Sequence, residues 1–536
     1  MTTLQTSVTR EGVFQVSVHC PSYSVTNVRA SNFLMELGQG KDGTPINNAA
    51  NFPDTDVAVT GTKKIYEIRN AFAFRGCTFI DSGWAIRHAH DPSLIRIEKP
   101  EHGSLLQTML DNGVATDQIE AILKQLPRHT LLDIAQNSDD EKELTLVVGN
   151  CCELRVDDTG KPVGVAYIER AGKPVPCIHD FELYETLANN PFLPDIYKEV
   201  MVLRPGAQGG SEIVGDCQGE DGLIFEYLRG NSYIPWGHYA ANFAHNSIRY
   251  KVTDLSLNDM QSLRHLYYQR TYLVLAQKLD LSVDFEQRQM SVEEVERLRQ
   301  AVAATLQNQD CEQCATLWGW NFGYDFSASG YRLHASHQMI HQQYAMVPEK
   351  VSTTSGEESL AFSCGDMVAD TVDRYAEYYN SDFFTDYLKA IRNNTRVDGE
   401  PGEQSLVVWE DKNVMLFVPK AQVSQWELQV MVIADEQGEP IGNIIEAGAE
   451  VRASLDKGIY FAQQTLAGLG AQLVTTIEFS KRMGVNNGQR LLYSLLPKLP
   501  WSMGAFSEAQ SRYICGHYPE DFALACRNSL ARILNS

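Results

Sequence analysis

The sequence lacks any run of about 18 apolar residues, the length that a membrane-spanning helix requires. Its first residues also lack the basic segment and the apolar segment of a secretory signal. Positive charge is scarce, because 45 Lys and Arg residues stand against 68 Asp and Glu residues, for a formal net charge of -23. Such a negative surface repels phosphate backbones. We therefore expect neither a membrane nor a nucleic acid as a partner.

A disulfide framework is also missing from the pattern of cysteines. Eleven cysteines, an odd number, are scattered over 536 residues. Without a signal peptide, this distribution favours reduced thiols and a cytoplasmic protein. The rest of the composition is ordinary, with 43% hydrophobic and 21% charged residues, so a large core is feasible. The length exceeds what one hydrophobic core usually serves, which predicts two or three structural units.

The first 180 residues mix strand-like runs with one clear helix and carry no motif of recognisable chemistry. Asp117–Leu126 is predicted to be helical, because its apolar residues recur at helical spacing before Pro127. Leu144–Val148 is predicted to be a strand, and Glu153–Val156 to continue it after a turn. We interpret this part as an accessory N-terminal α/β region.

The middle of the chain contains two predicted helices and a strand that leads to a cluster of histidines. Ser256 is suited to cap the first helix, and Ser291–Glu294 forms a capping box for the second. Thr316–Phe322 is predicted to be a strand that feeds a glycine turn. Farther on, residues 393–403 combine turn formers with charge, which favours a break between structural units.

The last segment begins with strands and continues with one long helix. The strands are predicted at Leu406–Trp409, Val414–Pro419 and Glu427–Ile433. The helix is predicted from an apolar face that consists of Val451, Leu455, Ile459, Ala462, Leu466 and Leu469. This order indicates an α+β unit with an antiparallel sheet.

The residues with the clearest chemistry lie between Gly330 and Pro348 and include Ser336, His341 and Gln343. Residues two apart in a strand share a face, so His341 and Gln343 are expected to face one ligand. An imidazole can attack phosphorus and hold a nucleotide as a phosphoramidate. A glutamine amide can donate to a phosphate oxygen without protonating the leaving group. That difference favours transfer to an acceptor over loss to water.

This order of residues resembles the galactose-1-phosphate uridylyltransferase branch of the histidine-triad superfamily, which includes dinucleoside-polyphosphate and sugar-nucleotide phosphorylases. The branch shows Phe-Glu-Asn-x-Gly, then Gly-x-Ser, then His-Pro-His-x-Gln before a strand. The chain supplies, without gaps, Phe326, Gly330, Ser336, His341 and Gln343. The resemblance spans residues 200 to 536 approximately. It implies that His341 is the nucleophile and that Gln343 and Ser336 bind phosphate oxygens.

Two departures from the motif bear on the activity. Met339 replaces the first histidine, which helps to bind a metal in uridylyltransferases, and Ala328 replaces the asparagine. The second half also lacks the expected His-x-His, because His517 is the only histidine after His341. These departures favour a phosphorylase or a more distant relative over a true galactose-1-phosphate uridylyltransferase.

Further candidate site residues follow from the same stretch and from the segment before it. The candidates for nucleotide or phosphate binding are Gly330, Phe326, Arg332 and His337, with Lys481, Arg482 and Lys498 as candidate phosphate partners from the second half. The candidate zinc ligands are Cys311, Cys314 and His334. Thiolate and imidazole suit zinc, but a single Cys-x-x-Cys is common, and two ordinary reduced thiols at a helix end are the alternative. No organic cofactor is expected.

Together these patterns predict an α+β fold with two HIT-like half-domains built on antiparallel sheets. The predicted units are residues 1–180, the accessory region; 181–350, the first half with the catalytic motif; 351–404, a helical connector; and 405–536, the second half. The predicted activity moves a nucleoside monophosphate from a nucleotide sugar or dinucleoside polyphosphate to phosphate or a sugar phosphate. A HIT-type hydrolase and a non-catalytic nucleotide-binding or scaffold protein are the alternatives. A symmetric homodimer is compatible with the sequence.

Overall fold

The protein, as a computed structural model, combines helices and sheets in an α+β fold. The structure describes residues 5–20, 23–25, 36–48, 56–59, 63–98, 103–188, 190, 192–201, 251–283, 288–308, 313–323, 341–435, 437–499 and 503–535. Within these ranges, no helix has the length and apolar character that crossing a bilayer demands.

The strands and helices of the described residues are numbered in chain order. The strands are β1 Ser17–His19, β2 Tyr23–Val25, β3 Glu36–Gln39, β4 Pro45–Asn47, β5 Val57–Val59, β6 Ile65–Arg69, β7 Cys77–Asp81, β8 Leu154–Val156, β9 Pro162–Val165, β10 Tyr167–Arg170, β11 Lys173–Pro176, β12 Ala315–Gly323, β13 His341–Val347, β14 Lys350–Ser352, β15 Glu358–Leu360, β16 Val407–Glu410, β17 Val414–Phe417, β18 Leu428–Val432, β19 Leu473–Phe479, β20 Leu492–Pro497 and β21 Arg512–Cys515. The α-helices are α1 Ser82–His90, α2 Leu105–Asp111, α3 Thr116–Leu123, α4 Arg128–Asn137, α5 Glu141–Val148, α6 Phe181–Ala188, α7 Asp195–Met201, α8 Leu257–Lys278, α9 Val292–Asn308, α10 Cys364–Tyr379, α11 Phe383–Arg392, α12 Ala449–Gly468, α13 Ala505–Gln510 and α14 Pro519–Leu534.

A seven-stranded antiparallel sheet forms the centre, in the order β13-β12-β19-β20-β18-β17-β16. Strands β12 and β13 come from the predicted first half and the other five from the predicted second half. They meet where β12 pairs with β19, in one continuous ladder. The antiparallel sheet and the α+β class are therefore as predicted, whereas the arrangement of two half-domains is not confirmed.

One face of this sheet is covered by α8, α9, α12 and α14, which form the largest hydrophobic core. Helix α8 begins where predicted, because the side-chain oxygen of Ser256 accepts from the Asp259 backbone N–H at 3.0 Å. Helix α9 begins with the predicted capping box, in which Ser291 and Glu294 each accept from the other's backbone N–H. Helix α12 packs its predicted apolar face onto the same core.

The other face carries α10, α11 and part of the N-terminal region. Phe72 packs in one cluster with Phe383, Met431 and other residues of these elements. A buried ion pair lies at this contact, since Arg75 is 2.8 Å from Glu427 of the segment before β18. The N-terminal region is thus part of the packing around the central sheet.

A second sheet joins the two ends of the chain in the order β1-β6-β7-β21. Its last strand, β21, runs parallel to β7. Gly76, just before β7, has a φ of +79°, and a Cβ there would lie 1.9 Å from the Ser511 carbonyl oxygen. Only glycine permits this approach of the two backbones.

Residues 104–201 build a separate core from helices α2 to α7. The prediction of a strand at Leu144–Val148 is wrong, because these residues complete α5. Asp140 caps that helix by accepting from two backbone N–H groups, and Leu144, Val147 and Val148 are buried at helical spacing. Helix α3 confirms most of the helix predicted before Pro127.

Candidate functional site

Strand β13 begins at His341, so the two residues of the motif lie two apart in a strand as predicted. The register pairs His341 with Asn321 and Gln343 with Gly319 of β12. The side chain of Gln343 is exposed. Its amide is therefore accessible to a ligand on this side of the sheet.

The residues of β12 and β19 beside this pair form a surface that we call the open face: Gly319, Asn321, Gln343, Thr475 and Ile477. All five are at least partly exposed. The Thr475 hydroxyl donates to the Asn321 side-chain oxygen at 2.7 Å, which fixes the orientation of that amide. Gly319 adds no side chain between Gln343 and Ile477, so it leaves a shallow floor.

No recognised motif contains Gly319, Asn321 or Thr475. Asn321 and Thr475 are 154 residues apart and come together only through the pairing of β12 with β19. A signal for Asn321 does exist in retrospect, since a polar residue alternates there with the aromatic residues Trp320 and Phe322.

The opposite side of β13 is anchored in the core. The indole N–H of Trp318 donates to the side-chain oxygen of Gln342 at 3.1 Å. The ring of Tyr344 lies 5.7 Å from that of Tyr267 in α8. These contacts hold the strand on the side away from Gln343.

Beneath the strand, Arg264 is fully buried in α8 among aromatic rings and two carboxyl groups. Its Nε donates to Asp456 at 3.0 Å, and its Nη2 donates to the Tyr493 hydroxyl at 2.9 Å. Burial raises the pKa of Asp456 to about 6, against the lowering influence of Arg264. Burial also raises the pKa of Glu478, which accepts from the Tyr267 hydroxyl at 2.8 Å. Because burial raises the pKa of both acids, this cluster holds a proton more readily than exposed carboxyl groups do.

Of the three cationic residues predicted as phosphate partners in the second half, Lys498 is exposed, whereas Arg482 and Lys481 are engaged inside the protein. Arg482 donates to both carboxylate oxygens of Asp366 at 2.7 Å and to the carbonyl of Pro348, just after β13, at 2.9 Å. Lys481 is buried and lies 2.9 Å from Glu446. Arg482 thus secures the end of β13, and these contacts occupy both side chains without any ligand.

The remaining predicted site residues lie mostly outside the described residues. They are Cys311, Phe326, Gly330, Arg332, His334, Ser336 and His337. Of the predicted zinc ligands only Cys314 is described, and its sulfur is buried 3.9 Å from the Lys278 ammonium. In the described part of the chain, no three His, Cys, Asp or Glu residues form a group suited to a metal ion.

Several solved structures are similar to this chain. A GalT-like protein from Arabidopsis thaliana matches with 12% identity and a TM-score of 0.33, over 52% of this chain and 70% of that chain. An ADP-glucose phosphorylase from Arabidopsis thaliana with bound ADP-glucose matches with 12% identity and a TM-score of 0.34, over 53% and 70%. A uridylyltransferase matches with 14% identity and a TM-score of 0.31, over 45% and 69%.

These proteins carry names from the branch that the motif around His341 resembles. One is named a GalT-like protein, one an ADP-glucose phosphorylase and one a uridylyltransferase, and these names describe those proteins alone. No protein-family model matches the sequence, and no curated protein does.

Proposed function

We propose that the protein transfers a nucleotidyl group through a covalent intermediate on His341. A ring nitrogen of His341 attacks the α-phosphorus of a nucleotide sugar or dinucleoside polyphosphate. The P–O bond to the leaving group breaks, and the leaving group takes the electron pair. An oxygen of orthophosphate or a sugar phosphate then attacks the same phosphorus. The P–N bond breaks, and the imidazole is restored.

The observation that carries this proposal is the position of the motif on the sheet. His341 starts β13, Gln343 is exposed two residues later, and the register puts Asn321 and Gly319 beside them. The pair therefore has the strand spacing that a shared ligand requires. The order Phe326, Gly330, Ser336, His341, Gln343 supplies the chemistry through its resemblance to the nucleotidyl-transferring branch.

The open face suggests how the donor is held. The exposed Gln343 amide donates to a phosphate oxygen, where charge increases during transfer. The Asn321 amide is oriented by Thr475 next to this position. Gly319 leaves room for a flat group, because the floor between Gln343 and Ile477 carries no Cβ. The face thus offers neutral hydrogen-bonding groups for the phosphates and an apolar edge.

The test is intact-protein mass spectrometry after incubation with UDP-glucose, GDP-mannose, ADP-glucose or diadenosine tetraphosphate. We expect a mass gain of one nucleotidyl group with at least one donor, in samples quenched at neutral to alkaline pH. The His341→Ala variant should show no gain. His19→Ala is the matched control, because His19 is an exposed residue of β1 in the other sheet. Full turnover by His341→Ala would refute the mechanism.

The alternative of a non-catalytic nucleotide-binding protein is favoured by Met339 and Ala328, which replace two residues of the motif. The same experiment separates it, since it predicts bound nucleotide without a covalent adduct. A hydrolase predicts release of nucleoside monophosphate to water with no need of an acceptor. Zinc at Cys311, Cys314 and His334 stays a prediction, in which the ion would bind near the start of β12.

A further inference from the structure

Strand β13 contains two adjacent glutamines in opposite surroundings. Gln343 is exposed on the open face, whereas Gln342 is partly buried. Because neighbouring residues of a strand point to opposite faces, only one of the two amides can lie on the open face. In the described sheet, β13 is an end strand that pairs with β12. Pairing with one neighbouring strand specifies the register of a strand less firmly than pairing with two. Side-chain contacts must therefore help to decide which of the two glutamines lies on the open face.

The choice is made by a rigid donor in the core. Trp318 is fully buried, and its indole N–H donates to the Gln342 side-chain oxygen at 3.1 Å. The guanidinium of Arg264 lies 4.5 Å from the centre of the Trp318 ring, and Arg264 is itself held by Asp456. The indole therefore has little freedom to turn. A buried N–H without an acceptor is costly, so the core demands an acceptor at position 342.

A slip of one residue would reverse every contact of the strand. It would place Gln343 against Trp318 and Gln342 on the open face. Because both residues carry an amide, the hydrogen bond to Trp318 could form in either register. The same slip would move Tyr344 away from Tyr267 and put Ala345 into its place. The observed register is therefore the one that allows both the aromatic contact and the hydrogen bond of Gln342.

We propose that Gln342 is a positioning residue whose hydrogen bond with Trp318 fixes the register of β13 against β12, so that Gln343 lies on the open face. Its consequence for catalysis rests on the proposed function, in which Gln343 contacts the donor. Gln342 itself touches no substrate. It acts by keeping His341 and Gln343 at their places opposite Asn321 and Gly319.

The test compares the same substitution at the two neighbouring positions. Methionine has nearly the shape of glutamine but removes the amide acceptor. We expect Gln342→Met to move the Trp318 indole N–H resonance upfield and to speed hydrogen exchange of residues 341–347. Gln343→Met should change neither. Gln342→Glu restores an acceptor and should restore both signals. The variant Trp318→Phe assigns the indole resonance.

Adduct formation supplies the functional readout. Gln342→Met should slow the covalent step roughly tenfold or more, because small displacements of reacting groups are costly. Gln342→Glu should recover most of this rate. An unchanged Trp318 resonance or unchanged hydrogen exchange in Gln342→Met would overturn the proposal. Equal effects of the two methionine variants on the resonance and on the exchange would also overturn it. If the wild-type protein forms no adduct, the proposed function fails. The resonance and the hydrogen exchange then still test whether Gln342 fixes the register of β13.

Discussion

Gly323 is the last residue of β12, the strand that pairs with β13. The absence of a Cβ there allows a close approach of two backbones. Its φ is +93°, and a Cβ would lie 2.1 Å from the Gln472 carbonyl oxygen. We expect Gly323→Ala to lower the free energy of unfolding by more than about 2 kcal/mol, because strain and a backbone clash add. Urea denaturation of the purified variant measures this loss.

The matched control is Gly356→Ala, in the turn between β14 and β15. Gly356 has a similar φ of +84°, but nothing lies within 4 Å of a Cβ built there. Its substitution should therefore cost only the backbone strain, about 1 kcal/mol. Equal losses in the two variants would show that the clash with Gln472 is relieved by a small shift of β19.

At the same level, the sequence predicts residues that act on their near neighbours. The sequence predicts Ser256 and Ser291 as caps, because their partners lie three residues away. It does not predict the hydrogen bond between Thr475 and Asn321, since that bond depends on which strands pair. The prediction of His341 depends on its ordered neighbours in the motif. One chain provides no signal for a contact between distant strands.

Helix α8 depends on its first turn more than its apolar pattern suggests. Ser256 and Asp259 cap each other's backbone N–H groups at the start of this 22-residue helix. We expect Ser256→Ala to cost about 1 kcal/mol of stability, the usual loss of an N-cap. Thermal or urea unfolding measures it. Ser256→Thr keeps the acceptor and should lose less; a loss as large as that of alanine would assign the effect to packing.

Periodicity predicts elements well where one face is buried and poorly where short elements offer few repeats. Helices α8, α9 and α12 and strands β12 and β16 to β18 follow their patterns. The prediction of a strand at Leu144–Val148 is wrong, because a short apolar run fits a strand or a buried helix equally. Residues 393–403 have the composition of a linker, yet Arg396 is buried and lies 2.6 Å from Asp521 of α14. Such a long-range ion pair leaves no mark on local composition.

The whole molecule carries a pH dependence set by its buried acids. The pKa of Asp456 is about 6 in the folded protein, above its ordinary value of 3.8, because burial disfavours the charge. The folded state therefore binds this proton more tightly than the unfolded state. The resulting stabilisation is present below pH 4 and is lost as the pH rises through 6. We expect this site to remove roughly 1–3 kcal/mol of unfolding free energy between pH 4 and pH 7.

Comparison with Asp456→Asn measures this contribution, because asparagine does not titrate. The variant is expected to be less stable, since Arg264 loses its carboxylate partner. Its unfolding free energy should nevertheless fall less steeply from pH 4 to pH 7. Part of the slope should remain, because the pKa of Glu478 is also raised. If the unfolding free energies of the two proteins changed with pH in parallel, the pH dependence would arise from a group other than Asp456.

The parallel pairing of β21 with β7 has a consequence for how the chain is made. The ring of His88, in the helix after β7, contacts the carbonyl of Gly516, which is 428 residues later in the sequence. A ribosome adding about 5–20 residues per second needs roughly 20–90 s to bridge that interval. During this time the edge of β7 lacks its native neighbour, and an unpaired edge is open to the wrong strand. Early translation thus leaves a sheet edge that β21 covers only after residues 512–515 have been made.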